Sequence, residues 1–188
     1  MEMAATRDHT AADWLQAAFP ALRSGGVEAV KVEPLARSLG LTKGSFYWHF
    51  RDREALLEAL LAEWERRAGE RILARIEGAG RSPEERLSLL FETVIREGRG
   101  ALDPAVRAWA LTDERAADCL ARVDALRLAW LERLFQGLGF AGEDARARAR
   151  LAYLALIGEY ALRASAEPAE RLVEARRTFA LLTGSVSS

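Results

Sequence analysis

Residues 30–57, VKVEPLARSLGLTKGSFYWHFRDREALL, decide how the rest of this chain is read. Leu35, Ala36 and Leu39 recur at helical spacing and form the inner face of one short helix. Gly40 tolerates the left-handed backbone at which such a helix stops, and Leu41 plugs the corner that follows. Ala36 is small where two helices must cross closely. Thr42 then caps a third helix reaching to about His49, with Phe46 and Phe50 on its buried side. Two short helices joined by so tight a turn make a helix-turn-helix.

The outer face of that third helix presents Thr42, Lys43, Ser45, Tyr47, Trp48 and His49. A solvated face without a partner normally carries Glu, Lys and Arg. Here every side chain is a donor, an acceptor or a ring with a polar tip. Thr42, Lys43 and Ser45 suit phosphates or base edges, Tyr47 and His49 suit phosphates, and Trp48 can pack on sugar or a thymine methyl. Arg53 adds a cation in the first turn of the next helix, where the helix start already favours phosphate.

Outward from this stretch the cap signals are legible. Thr10 and Asp13 form a capping box for a first helix carrying Trp14, Leu15, Ala18, Phe19 and Leu22, which Gly25 and Gly26 end. The second helix begins near Lys31, with Pro34 tolerable in its first turn. Asp52 caps a long fourth helix from Arg53 to about Glu77, with Leu56, Leu57, Leu60, Leu61, Trp64, Ile72 and Ile76 as its stripe. No Pro interrupts it, and Gly69 is its one interior weak point. Gly78 and Gly80 break it, and Ser82-Pro83-Glu84-Glu85 opens a fifth. Asp103-Pro104 starts a sixth through Trp109, Thr112 or Asp113 a seventh, Glu143 an eighth to Ala164, and Pro168 a ninth to Leu182. No segment alternates as a strand does. The expected fold is all-α, with about nine helices.

Composition agrees. Of 188 residues half are hydrophobic, and Ala, Leu, Arg and Glu dominate. A formal net charge of −1 does not advertise a nucleic-acid binder, but a small basic face suffices because charge acts locally. Lys31 and Lys43 are the only lysines in a chain otherwise rich in arginine. One cysteine, Cys119, excludes an intramolecular disulfide, and with only His9 and His49 beside it no metal site is expected. Met1 to Thr10 is polar and no apolar run approaches a membrane span, so the reading is a cytoplasmic protein with no membrane partner.

The motif resembles the signature of the TetR family of bacterial transcriptional regulators, of the form G-[VL]-[ST]-x-G-[ST]-[LF]-Y-x-H-F before a basic-acidic pair and a long apolar helix. The resemblance is specific from Thr10 to about Leu61 and architectural beyond. It implies a DNA-binding domain over residues 1–52 and a ligand-binding and dimerisation domain over 53–188. Candidate DNA contacts are Lys31, Thr42, Lys43, Ser45, Tyr47, Trp48, His49 and Arg53. Two positions depart from the family pattern: Lys31 replaces a Ser or Thr cap, and Glu33 stands where a base is common. The implied activity is operator binding to double-stranded DNA as a homodimer, repression, and release by a small-molecule effector, with no cofactor.

The same resemblance puts the effector among helices four to seven. The candidate pocket residues are Trp64, Phe91, Trp109, Arg127, Trp130 and Tyr153, although large rings serve more often as core. Arg107, Asp124 and Arg127 are either an ion-pair network between helices six and seven or a polar anchor for a ligand carboxylate or hydroxyl. On helix eight, Ala152, Ala155, Gly158 and Ala161 recur beside Leu151, Leu154, Ile157 and Leu162; helix nine shows Leu172, Ala175, Phe179 and Leu182. Apolar excess on two consecutive helices predicts an interface, centred on Leu151, Leu154, Ala155, Gly158, Leu162, Leu172 and Phe179. Two other readings stand beside a ligand-responsive repressor. One is a DNA-binding protein without a small-molecule ligand. The other is a helical-bundle enzyme, for which no Glu-x-x-His pair or Ser-His-acid set speaks.

Overall fold

The computed structural model describes residues 9–78, 81–97, 102–161 and 167–184. Among the described residues the regular elements are helices, and no strand is present. They are α1 (Ala11–Gly25), a 3-10 turn (Val27–Ala29), α2 (Val32–Ser38) and α3 (Lys43–Phe46). A long helix α4 follows, α-helical over Arg53–Arg66, π-helical over Arg67–Arg71 and α-helical again over Ile72–Glu77. Then come α5 (Pro83–Glu97), α6 (Asp103–Trp109), α7 (Glu114–Gly137), α8 (Gly142–Ala161) and α9 (Pro168–Thr183). The far end expected of helix eight, together with Gly80, Leu162 and the Ile72 side chain, lies outside the described residues.

The caps explain most of these boundaries. The Asp13 carboxylate accepts the Thr10 backbone N–H at 2.7 Å and opens α1. Helix α2 closes as a Schellman turn: Leu41 N–H reaches the Ala36 carbonyl at 2.8 Å, Gly40 N–H reaches Arg37 at 3.1 Å, and Gly40 holds φ +69°. Asp52 caps α4 by accepting the Ala55 N–H at 2.8 Å. Asp103 starts α6, as the sequence predicts. The residue before it, Leu102, is the N-cap, and the buried Asp103 carboxylate pairs with Arg127.

Two apolar clusters form the core. The first joins Trp14, Phe19, Leu35, Phe46 and Phe50 to Leu56, Leu60 and Trp64 of α4, and continues to Val106, Trp109, Cys119 and Val123. It therefore runs across residue 52, fastening the helix-turn-helix to α4, α6 and the first half of α7. The second gathers Ile76, Phe91, Trp130, Phe135, Ala152, Tyr153 and Leu156. Ala145, Ala149 and Ala152 turn the small side of α8 inward, which lets it lie close to α7. Two buried arginines stitch α8 to α9: Arg148 donates to Asp144 and the Leu182 carbonyl, and Arg171 clasps Glu159 at 2.7 Å.

Asp113 caps α7, its carboxylate accepting the Arg115 and Ala116 N–H groups at 2.9 and 3.3 Å. The Arg115 side chain, chiefly, and the Ala116 N–H hold this carboxyl down at about 2. A folded-state value below the ordinary carboxylate range means the stabilisation is complete above about pH 4 and fades as pH falls through about 2. Asp113→Ala is expected to cost about 1 kcal/mol at neutral pH. Thermal melts of both proteins from pH 7 to pH 2 check this: the gap should close towards the acid end.

Candidate functional site

Helix α3 is a single turn of regular helix, Lys43–Phe46, continued by hydrogen-bonded turns to Phe50. It is shorter than the sequence predicts. Thr42 caps it by accepting the Ser45 N–H at 3.4 Å, while the Ser45 hydroxyl donates back to the Thr42 carbonyl at 2.6 Å. Phe46 anchors it from below, edge-on to Trp14 at 5.2 Å and stacked with Phe50 at 5.5 Å. With the two phenylalanines buried, the side chains between them can only face out.

They do. Trp48 is 88% exposed and Tyr47 55%, and Thr42, Lys43 and His49 are exposed beside them. Ser45 is half-buried, its hydroxyl engaged in the cap. An indole left almost wholly in water at the tip of a rigid turn contributes nothing to this fold. Gly44 lies on the same turn, and a Cβ there would meet only Thr42 Oγ1 at an ordinary 3.6 Å. The fold thus does not demand a glycine, and the bare backbone leaves room for a close external surface. Lys31 is exposed at the N-cap of α2 without capping it.

Lys43 does not stand free. Its ammonium pairs with Glu33 Oε1 at 2.9 Å, both groups being more than half exposed. Each holds the other in its charged form, Glu33 below and Lys43 above its ordinary range, mainly through that hydrogen bond. Arg51, which sequence reasoning passed over, is 82% exposed two residues after His49. The signal was available in the basic residue directly after Phe50.

Arg53 holds a different position from the one its sequence context suggested. Its Nε donates to the Val30 carbonyl and its Nη2 to the Val27 carbonyl, each at 2.7 Å. The guanidinium fastens the first turn of α4 to the 3-10 turn in front of α2. Lysine cannot reproduce that fork. Arg53→Lys is expected to lower stability by about 1–3 kcal/mol, the range of hydrogen bonds to a charged group. Urea unfolding would measure it; an unchanged midpoint would mean the clasp contributes nothing.

The second site is internal. Arg107 of α6 forms a fork with Asp124 of α7 at 2.7 and 3.0 Å, and the Tyr153 hydroxyl of α8 donates to Asp124 at 2.6 Å. Arg127 of α7 pairs with buried Asp103 at 2.5 Å, donates to Tyr153 at 3.4 Å, and sends its Nε to the Ala68 carbonyl at 3.1 Å. Ala68 belongs to the π-helical stretch of α4, where the widened turn lets an outside donor reach a carbonyl. Gly69 allows that approach: a Cβ there would meet Leu126 Cδ2 at 2.9 Å. Burial pushes the Tyr153 hydroxyl up to about 12. The ion-pair reading of Arg107, Asp124 and Arg127 thus describes their contacts, and Asp103 and Tyr153 complete the network.

A cavity of about 30 Å³ lies against this network, lined by Arg127, Trp130 and Tyr153 with Leu73, Leu90, Val94, Leu131, Leu156 and Ile157. Three of the candidate pocket residues meet here. The other three do not: Trp64 and Trp109 are core beneath the helix-turn-helix, and Phe91 faces α9. Two growing cores need large rings, and ring size alone does not tell core from cavity. Cys119 is buried, with its thiol pushed up to about 12 by burial, which suits a packed side chain rather than a reactive one.

Outer faces of α8 and α9 complete the inventory. Leu151 and Leu154 are 57% and 53% exposed, with Ala155 half-buried beside them, and a Cβ on Gly158 would meet nothing within 4 Å. Leu172 and Phe179 are half-buried because they turn back onto α5; the exposed apolar side chains of α9 are Val173 and Leu181. No group of three potential metal ligands occurs among the described residues, and no described helix is long and apolar enough to cross a membrane.

The family profile described as bacterial regulatory proteins, tetR family, matches residues 15–60. The tetracycline repressor protein class A from transposon 1721 of Escherichia coli is 41% identical over 46 residues. That stretch is 24% of this chain and 21% of the relative, so this likeness concerns the N-terminal helices alone. Solved structures match over nearly the full chain. Salmonella enterica GusR has a TM-score of 0.72 at 23% identity, covering 92% of this chain and 93% of its own. A TetR transcriptional regulator from Legionella pneumophila has 0.71 at 15%, covering 96% and 98%. At such identities the structures speak for the fold, and the profile and the motif speak for its first sixty residues. Residues 15–60 thus carry the signature of the tetR family of bacterial regulatory proteins, and the chain as a whole shares the fold of solved structures that include a TetR transcriptional regulator.

Proposed function

We propose that this regulator is a homodimeric repressor that leaves its operator when a small molecule enters the inner cavity. Lys43, Tyr47, Trp48 and His49 enter the major groove, with Lys31, Thr42, Ser45 and Arg51 along the phosphates. Two copies pair through the outer faces of α8 and α9, setting two α3 turns against neighbouring grooves. The observation that carries the regulatory half is the Arg127 guanidinium, which lines the cavity and also holds the Ala68 carbonyl of α4. A guest that moves Arg127 acts on the helix whose first turn is clasped to the helix-turn-helix by Arg53. From the π-helical stretch that holds Ala68 back to the first turn, Arg53–Arg66 is regular helix without Pro or bulge, so a displacement passed on from that stretch travels along it as a tilt.

The size of the cavity favours a second reading. About 30 Å³ holds little more than a water, whereas ligand sites run to about 300 Å³ and above. A regulator without an effector would have such a filled core. The separating experiment selects a tight-binding duplex, then screens compounds for release of that duplex from the native protein and from Leu156→Trp, which fills the cavity. Release from the native protein alone supports the effector; release from neither, or from both, favours the second reading.

A further inference from the structure

Arg127 and Tyr153 line the cavity, and the network they belong to, completed behind them by Arg107, Asp124 and Asp103, is already electrically balanced, which limits what the cavity can hold. Arg107 and Arg127 carry two positive charges, and Asp124 and Asp103 carry two negative ones, paired at 2.7 and 2.5 Å. Tyr153 adds no charge, because burial holds its hydroxyl protonated far above neutrality. On the neighbouring side, Trp130 donates its indole N–H to the Glu77 carboxylate at 2.7 Å, a further negative group. Among the described residues, a carboxylate entering here finds no unpaired cation and an acid nearby. An ammonium finds both aspartates taken. Either would be desolvated without a counter-charge, which is the costly case.

Hydrogen-bond donors, by contrast, are left over. A guanidinium has five N–H bonds, and Arg127 uses four: one to Ala68, two to Asp103 and one to Tyr153. Behind the lining, Arg107 Nε is also buried without an acceptor among the described residues, but the donor that reaches the cavity is that of Arg127. The remaining wall is aliphatic and aromatic: Leu73, Leu90, Val94, Leu131 and Leu156 around Trp130. Resting on the effector reading above, we infer that the cavity takes an uncharged, largely apolar molecule with one hydrogen-bond acceptor, such as a ketone, ester or lactone. Its carbonyl oxygen accepts from Arg127, and its apolar body parts α4 and α5 from α7 and α8.

Matched seven-carbon and benzyl compounds, each as methyl ketone, carboxylate and ammonium, test this by calorimetry on the full chain. The ketones should bind the native protein about tenfold tighter than either charged counterpart. Ile157→Phe, which narrows the cavity, should remove that binding. Asp124→Asn leaves one cation unbalanced and should shift preference to the carboxylates, a reversal that a merely structural role for Asp124 would not produce. Asp103→Asn supplies the same test if the first variant is unstable. Native protein preferring the carboxylate or the ammonium would overturn the inference while leaving the cavity as a ligand site. Binding of none of the compounds, to native protein or variants, would overturn the effector reading itself, and the inference with it.

Discussion

Replacing Lys43, Tyr47 and His49 together by alanine is expected to reduce operator binding to the level seen with unrelated duplexes, while the melting temperature hardly moves. All three side chains are exposed, and none belongs to either core cluster. Surface changes of this kind stay within about 0.5 kcal/mol of the native stability. Their contacts with DNA are another matter. A good base contact is worth about 1–3 kcal/mol, so three replacements together can remove about a thousandfold or more in affinity. Lys43 is also the cation whose present partner is Glu33, a pair open to solvent and easily exchanged for a phosphate. Trp48→Ala should weaken binding without destabilising the fold, since the ring is 88% exposed. Fluorescence anisotropy with a selected duplex checks both; intact binding by the triple variant would move the DNA-contacting face elsewhere.

Leu151→Asp combined with Leu154→Asp is expected to give folded monomers. Helix α8 is apolar on two sides. One side, through Ala145, Ala149, Ala152 and Leu156, is already buried within the subunit. The other leaves Leu151 and Leu154 more than half exposed, and α9 leaves Val173 and Leu181 exposed as well. In the proposed dimer a second copy of the same surface would bury both, and carboxylates placed at its centre would be desolvated without partners. Because two linked readers bind two half-sites far better than one, operator affinity should fall by about a hundredfold or more. Light scattering gives the mass, and circular dichroism confirms the helices. A variant that remains dimeric would shift the interface away from these helices.

What could be read from the sequence was whatever local chemistry decides. The capping box at Thr10 and Asp13, the glycine stop after α2 and the Asp52 cap each depend on a few consecutive residues, and each is where it was expected. The outward face of α3 was legible for the same reason: Phe46 and Phe50 fix which side is buried, and their neighbours must face out. Gly69 was recognisable as the weak point of α4, but its close neighbour Leu126 and the Arg127 donor on the adjacent Ala68 carbonyl are remote in sequence.

Long-range partners account for the rest. Arg53 in a first helical turn looks like a phosphate ligand until Val27 and Val30 present their carbonyls to it. Leu172 and Phe179 share a stripe with Ala175, and periodicity does not say whether that stripe meets α5 or another copy. Trp64, Trp109 and Trp130 are alike in sequence, yet only Trp130 reaches the cavity, because two cores divide the rings between them. Pairing is a tertiary property; spacing along a helix is not.

The most direct measurement is selection of binding sites from a random duplex library by the purified native chain, with the Lys43, Tyr47 and His49 triple variant selected in parallel. If α3 reads the groove in a twofold dimer, the native protein enriches an inverted repeat, with half-sites about one helical turn apart or a small multiple of it. The variant should enrich nothing. Enrichment of no sequence by the native protein, or of the same sequence by the variant, would contradict that reading.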